Sequence, residues 1–324
     1  MGKTRELAES MMPVWRVGAI MNEPLAEVLK FCAWYLAQGA DELVICFDDP
    51  QDPALEVLSP HPRIRCIPCT PAFWAQLGLS PSETFVTRQN AALTWVYRQY
   101  ADGWLLNVDA DEFLFVDGGS VASVLAAVPA GKISVRVRTA ERVLVEGEDA
   151  PLHFRLPMGR AVRRAVYGED APLFGPRREG LVGHSHGKSL VRCGINGLTL
   201  RQHWPRGLRP GGADEVVLKP EHDAYLLHMI GADYDVWRQK LDWRSGSRGF
   251  TDGLTERVAS ALACSAPDEA LRDLHSRIHC STSDRLKRME AHGVLLTLNM
   301  NIDAAMQQHF GVSLADLGAL GAKL

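Results

Sequence analysis

Three short apolar runs near the start of the chain each stop on acidic or amide residues. Val17–Met21 ends in Asn22-Glu23, Leu43–Phe47 ends in Asp48-Asp49, and Trp104–Val108 runs straight into Asp109-Ala110-Asp111-Glu112. Between the first two, Leu25, Val28, Leu29, Cys32, Tyr35 and Leu36 recur at helical spacing, and Gly39 supplies a stop. Asn22 followed by Pro24 reads as the start of that helix. The spacing predicts a third strand over 63–67, a helix over about 84–100, a short helix over 120–127 and a strand over 132–137. Strands alternating with helices favour right-handed crossovers and a mostly parallel sheet. Such sheets bind ligands at the carboxyl ends of their strands, which is where each of the acidic stops falls.

From about Glu141 to Pro220, Gly, Pro, Arg and His interrupt the pattern, so irregular strands and loops are expected. Helices are expected near 233–244, 253–263, 267–278 and 281–292. Lys+Arg number 35 against 39 Asp+Glu, a net charge of −4, and a chain without a basic surplus is a poor nucleic-acid binder. Apolar runs such as Val294-Leu295-Leu296 are far short of the roughly 20 residues of a membrane span. The first dozen residues lack the apolar core of a secretory leader, and seven cysteines is an odd number. A cytoplasmic chain with reduced thiols, no transmembrane segment and no nucleic-acid partner is the expectation; peripheral membrane contact stays open.

The strongest chemical signal is Asp109-x-Asp111. Carboxylates at alternate positions just past a buried strand can turn toward one point, and a hard divalent cation is held by one or two carboxylates plus phosphate oxygens. Leu105, Val108, Phe113 and Leu114 anchor the turn on the core.

The string Asp109-Ala110-Asp111-Glu112-Phe113-Leu114 resembles the Asp-x-Asp motif of GT-A-fold glycosyltransferases, most of all a bacterial family 2-like group. Other features are similar and in the same order. They are Asn22-Glu23 after the first strand, Trp34 on the next helix, Gly39–Ile45, Arg88-Gln89-Asn90, and Leu227-His228 ahead of Trp237–Lys240. The resemblance covers about residues 14–245.

It implies an α/β, GT-A-like, mostly parallel sheet flanked by helices, with a Rossmann-like nucleotide-binding half. Residues 1–140 would bind the nucleotide sugar, 141–245 would complete the domain on the acceptor side, and 246–324 would form a C-terminal helical extension. The implied reaction is inverting transfer of a sugar from a UDP- or GDP-sugar to a glycan or other hydroxyl acceptor, with Mn²⁺ or Mg²⁺ as cofactor. Asn22 and Glu23 would lie at the nucleoside end, and Asp48 at the base or ribose, with Arg88 and Gln89 in the same donor site. Asp109 would meet the ribose or metal, Asp111 the metal and diphosphate, and His228 would be the third metal ligand. Asp48-Asp49-Pro50 departs from the usual Asp-Gly-Ser, which leaves the donor base open.

Lys188 is a candidate for the donor diphosphate on charge alone. No acceptor-base motif stands out; Glu141, Glu169 and Asp170 are the candidates, with Asp214-Glu215 a further one. Gly183–Ser189 lacks the phosphate-loop spacing, and no Gly-x-Ser-x-Gly elbow occurs. His184, His186, Cys193 and His203 follow no zinc spacing, and Cys66-x-x-Cys69 reads as two packed thiols. Two other readings use the same features: a metal-dependent nucleotidyltransferase or phosphohydrolase, and a non-catalytic sugar- or partner-binding module on the same fold.

Overall fold

The computed structural model describes residues 12–175, 177–241 and 250–321. Its strands, in chain order, are β1 (Trp15–Met21), β2 (Glu42–Phe47), β3 (Ile64–Pro68), β4 (Trp104–Asn107), β5 (Glu112–Val116) and β6 (Ser134–Val137). They continue as β7 (Thr139–Val145), β8 (Glu148–Arg155), β9 (Lys188–Arg192), β10 (Glu215–Leu218), β11 (Ala224–His228) and β12 (Leu295–Leu298). The fold is mixed α/β, with sheets flanked by helices and further helices toward the C-terminus. Among the described residues no helix is long and apolar enough to cross a membrane.

Two compact units share the chain. The first takes the chain up to Arg138, Lys188–Tyr225 and everything from Asn301 on; the second takes Thr139–Gly187 and Leu226–Met300.

The first unit is built on a seven-stranded sheet in the order β10-β6-β9-β4-β1-β2-β3. β1 pairs in parallel with β2 and β4, β2 with β3, and β10 with β6. Only β9 runs antiparallel, between β4 and β6. β1 and β2 are buried almost throughout because helices cover a parallel sheet on both faces. The helix Leu25–Ala37 buries an aromatic-rich face of Phe31, Trp34 and Tyr35. Its N-cap is Pro24 rather than Asn22, whose own N–H donates to Glu23 Oε2 at 2.8 Å. Thr84 caps the helix Phe85–Tyr97 through the Thr87 N–H. The helix Ile302–Phe310 packs on Leu25–Ala37.

The second unit holds β12, β8, β7 and the part of β11 from Leu226 onward, side by side in that order. β8 is antiparallel to both neighbours, and β7 pairs in parallel with β11. Glu141 and Arg155 face each other across β7 and β8 as a fully buried ion pair, 2.6 Å apart. Asp170 accepts hydrogen bonds from Arg277 and Arg285, tying the turn Gly168–Phe174 to the helices Pro267–His279 and Ser283–Ala291.

Three sequence expectations change. The stretch 141–220 is more regular than expected and contains β8, β9, β10 and most of β7, because buried Glu141, Arg155, Lys188 and Glu215 sit where an apolar pattern was sought. The helical tail 246–324 is not one body: β12 interrupts it by pairing with β8, the described part up to Met300 joins the second unit, and the chain beyond joins the first. The helix expected over 233–244 spans Tyr234–Gln239, and residues 242–244 lie outside the described residues.

Where β9 ends, Gly194 turns at φ 81°, and a Cβ there would lie 2.1 Å from the Ala101 carbonyl oxygen. A backbone atom cannot step aside, so Gly194→Ala should destabilise the protein by more than about 1 kcal/mol. Denaturant unfolding checks this; a midpoint equal to wild type would disprove the strained approach.

Candidate functional site

At the carboxyl end of β4 the chain turns through Asp109–Glu112. Glu112 N–H donates to the Asp109 carbonyl at 3.1 Å, and the Asp109 N–H donates back to Glu112 Oε2 at 2.9 Å. Glu112 is wholly buried, so this carboxylate is spent on holding the turn. The helix Leu25–Ala37 fixes the next residues. Tyr35 Oη donates to the Glu112 carbonyl (2.8 Å) and accepts from the Leu114 N–H (3.1 Å), while the Trp34 indole donates to the Leu114 carbonyl (2.9 Å). The Phe113 ring lies parallel to Tyr35. An apolar helix face thus orders the backbone on which Asp109 and Asp111 stand.

Lys188, the first residue of β9, is 1% exposed. Its Nζ lies 2.8 Å from Asp109 Oδ2 and 3.2 Å from Glu112 Oε2. Burial disfavours the ammonium, but the two carboxylates outweigh it and hold the lysine protonated above its ordinary range. Gln89 Nε2 donates to Asp109 Oδ1 at 2.7 Å, and Gln202 Nε2 reaches Gln89 Oε1 at 3.3 Å. Both oxygens of Asp109 are therefore engaged, although its side chain is 36% exposed.

At the end of β2, Arg88 grips Asp48 with two bonds, Nε to Oδ1 at 3.1 Å and Nη2 to Oδ2 at 2.5 Å. The same guanidinium is held by the carbonyls of Pro81 and Glu83. Beside this pair lies a cavity of about 200 Å³ lined by Asp48, Pro50, Cys69, Pro71, Trp74, Pro81 and Arg88. Proline, cysteine and tryptophan make up its apolar lining beside one oriented carboxylate. Asn22 is exposed and Glu23 half-buried just past β1. The strand order reverses at β1, with β2 and β3 on one side and β4 on the other. Ligands of open α/β sheets sit at such a point, and Asp48, Arg88, Gln89, Asp109 and Lys188 all lie along that edge of the first unit.

Of the expected metal ligands, Asp109 and the half-buried Asp111 belong to the first unit and His228 to the second. The His228 ring stacks on His184, with 5.5 Å between centroids. Among the described residues no group of three His, Cys, Asp or Glu side chains is placed to hold a metal ion. Asp109 is a poor seat for a divalent ion as it stands. An ion at Asp109 would have to share that carboxylate with the Lys188 ammonium and would meet its repulsion.

The carboxylates expected as acceptor bases are placed unequally. Glu141 accepts from Arg155 and from the N–H groups of Val182 (2.9 Å) and Gly183 (2.8 Å). Burial pushes its pKa up, yet Arg155, His228 and these donors bring it below the ordinary carboxylate value. Asp170 is clamped by two arginines, Glu215 pairs with Arg136, and Glu169 is exposed.

Sequence reading passed over Glu112 as the latch of the turn, and over the Lys188–Asp109 contact. The available signal for the first was the capping pattern of a carboxylate three residues after Asp109. The second depends on a contact 79 residues apart in the chain.

No protein-family model matches the sequence, and no curated protein matches it. Among solved structures, the chain is similar over 39% of its length to a WbbM bifunctional glycosyltransferase in its apo form (12% identity, TM-score 0.26, 23% of that chain). It is similar over 44% to HddC from Yersinia pseudotuberculosis (9% identity, TM-score 0.28, 67% of that chain). It is similar over 43% to a 4-diphosphocytidyl-2C-methyl-D-erythritol synthase (13% identity, TM-score 0.22, 66% of that chain). The chain spans about a quarter of the first of these and about two thirds of the others. At such TM-scores the likenesses add nothing to the reading of the site.

Two outcomes test the site. Tyr35→Phe removes both bonds to the β5 backbone and should cost about 1–3 kcal/mol, read by thermal unfolding; an unchanged melting temperature would show that the helix does not hold the turn. Glu141 has a folded-state pKa below its unfolded one, so its stabilisation is complete above about pH 4.3 and fades as the pH falls through the lower folded value. Glu141→Gln leaves Arg155 unneutralised and should cost about 3–5 kcal/mol near pH 7. Melting both proteins from pH 3 to 8 should show the gap closing only at the acid end.

Proposed function

We propose that the chain is a glycosyltransferase whose first unit binds a nucleoside-diphosphate sugar along the carboxyl edge of β1, β2 and β4. The observation that carries the reading is the convergence there of the Arg88–Asp48 pair with its adjoining cavity and the Lys188–Asp109–Gln89 set. In this reading the base lies in the cavity lined by proline and tryptophan, and Asp48, oriented by Arg88, accepts from a base or ribose donor. Asp109, on the ordered turn, is the acceptor next in line toward the sugar. Asn22 and Glu23 sit at the nucleoside end. The donor is a UDP- or GDP-sugar, and the acceptor a glycan or another hydroxyl compound.

In the transfer, an acceptor hydroxyl oxygen bonds to the anomeric carbon as the bond from that carbon to the diphosphate oxygen breaks. The hydroxyl proton passes to a base, and nucleoside diphosphate leaves. Inversion at that carbon is part of the proposal. Positioned cationic or hydrogen-bonding groups are needed where charge grows on the leaving diphosphate. Glu141, whose pKa Arg155 and its N–H donors hold down, and Asp170, clamped by two arginines, serve as structural anions. No step is routed through Mn²⁺ or Mg²⁺, since the set at Asp109 does not fit a divalent ion as arranged.

Incubation with UDP- and GDP-sugars, followed by chromatography of the nucleotides, tests the reading. Release of nucleoside diphosphate is expected; release of monophosphate or pyrophosphate would replace it with a nucleotidyltransferase or phosphohydrolase. Binding without any release would leave a sugar-binding module. Arg88→Ala frees Asp48 from its clamp and should weaken UDP or GDP binding about tenfold or more, the equivalent of roughly 1.5–3 kcal/mol in a charged hydrogen bond. Calorimetric titration measures it, and an unchanged Kd would remove the cavity from the site.

A further inference from the structure

We propose that Lys188 is the built-in cation of the acidic turn, a positioning residue that acts through Asp109 and makes nucleoside-diphosphate binding independent of a divalent ion. Its nucleotide part rests on the donor-site reading above; its metal part does not. Topology puts the lysine there. β9 is antiparallel to β4, so it begins at the edge where β4 ends, and its first residue arrives beside Asp109. Lys188 pairs with Val137 inside the sheet and is 1% exposed. An arm on a surface loop can swing away for an incoming ion. A side chain buried along its whole stem, on a strand with a neighbour on either side, cannot leave without opening the sheet.

The charges agree with this. The ammonium lies within ion-pair distance of Asp109 and Glu112, the first and last carboxylates of the turn. Two of its N–H donors are accounted for by them. Asp109 is then held by Lys188 on one oxygen and by Gln89 on the other, which fixes its plane. A divalent ion at Asp109 must compete with a resident positive charge. The fixed ammonium takes the charge-neutralising place at Asp109 that an ion would otherwise fill, without exchange with solvent.

The test uses the full chain with UDP, GDP and Mn²⁺. In wild type, UDP or GDP should raise the melting temperature equally in EDTA and in Mn²⁺, and electron paramagnetic resonance should show no tight Mn²⁺ site. Lys188→Met removes the charge but keeps the length. It should gain one Mn²⁺ site per chain, bound on the order of tenfold tighter than any in wild type, and its nucleotide response should become Mn²⁺-dependent. Lys188→Arg keeps the charge and should stay insensitive to EDTA, which a merely structural lysine would not require. A wild-type nucleotide shift lost in EDTA and restored by Mn²⁺ overturns the inference while the donor reading stands. So does a wild-type Mn²⁺ site abolished by Asp109→Asn. If neither UDP nor GDP binds under any condition, the glycosyltransferase reading falls, and the Mn²⁺ titrations of wild type and Lys188→Met still decide the role of the lysine. Should Lys188→Met fail to fold, the wild-type and Lys188→Arg measurements decide it.

Discussion

Glu112 has no exposed surface, and the geometry of the site follows from where its carboxylate goes. One oxygen takes the Asp109 N–H and lies near the Lys188 ammonium, so the turn closes on itself and on β9 together. Tyr35 and Trp34 then pin the two carbonyls that follow, from a helix whose own packing is aromatic. A buried carboxylate costs several kcal/mol unless paired and hydrogen-bonded, and here both conditions are met. Asp109 and Asp111 are thereby carried on a rigid backbone.

The same edge owes its chemistry to one reversed strand. In an all-parallel sheet every strand would bring its carboxyl end to this edge and its start to the other. β9 runs the opposite way between β4 and β6, and so delivers an N-terminal residue among C-terminal ones. That residue is a lysine, and it meets carboxylates presented by the neighbouring strand end. Reversal of strand order at β1 opens the crevice, and Arg88 from the helix Phe85–Tyr97 closes its far side by holding Asp48.

The second unit uses buried charge for a different end. Glu141 and Arg155 join β7 to β8, and the remaining capacity of Glu141 collects the N–H groups of Val182 and Gly183. Gly183 has no Cβ where one would come within 3.0 Å of the His228 ring and 3.4 Å of Glu141. A segment with little regular structure is thus anchored through its backbone. Asp170 does similar work for the helices that carry Arg277 and Arg285. Ionised groups satisfied this fully serve architecture.

The first half of the sheet was legible in the chain because β1, β2 and β4 are continuous apolar runs. Such runs signal strands buried on both faces, and the residues that stop them mark the sheet's carboxyl edge. Asp48 and Asp109 were therefore placed at that edge by local pattern alone, whereas Arg88 and Gln89 came from the family resemblance. β7, β8, β9 and β10 escaped that reading, since each carries a charge whose burial is tolerated only through a partner distant in sequence: Glu141 with Arg155, Lys188 with Asp109, Arg136 with Glu215. The return of the chain beyond Asn301 to the first unit was equally hidden, because helical periodicity says which face is apolar and not what covers it. Local sequence determined where carboxylates stand at strand ends. Tertiary structure decided which of them are spoken for, because the energy of a buried charge is set by the groups around it and not by its neighbours in the chain.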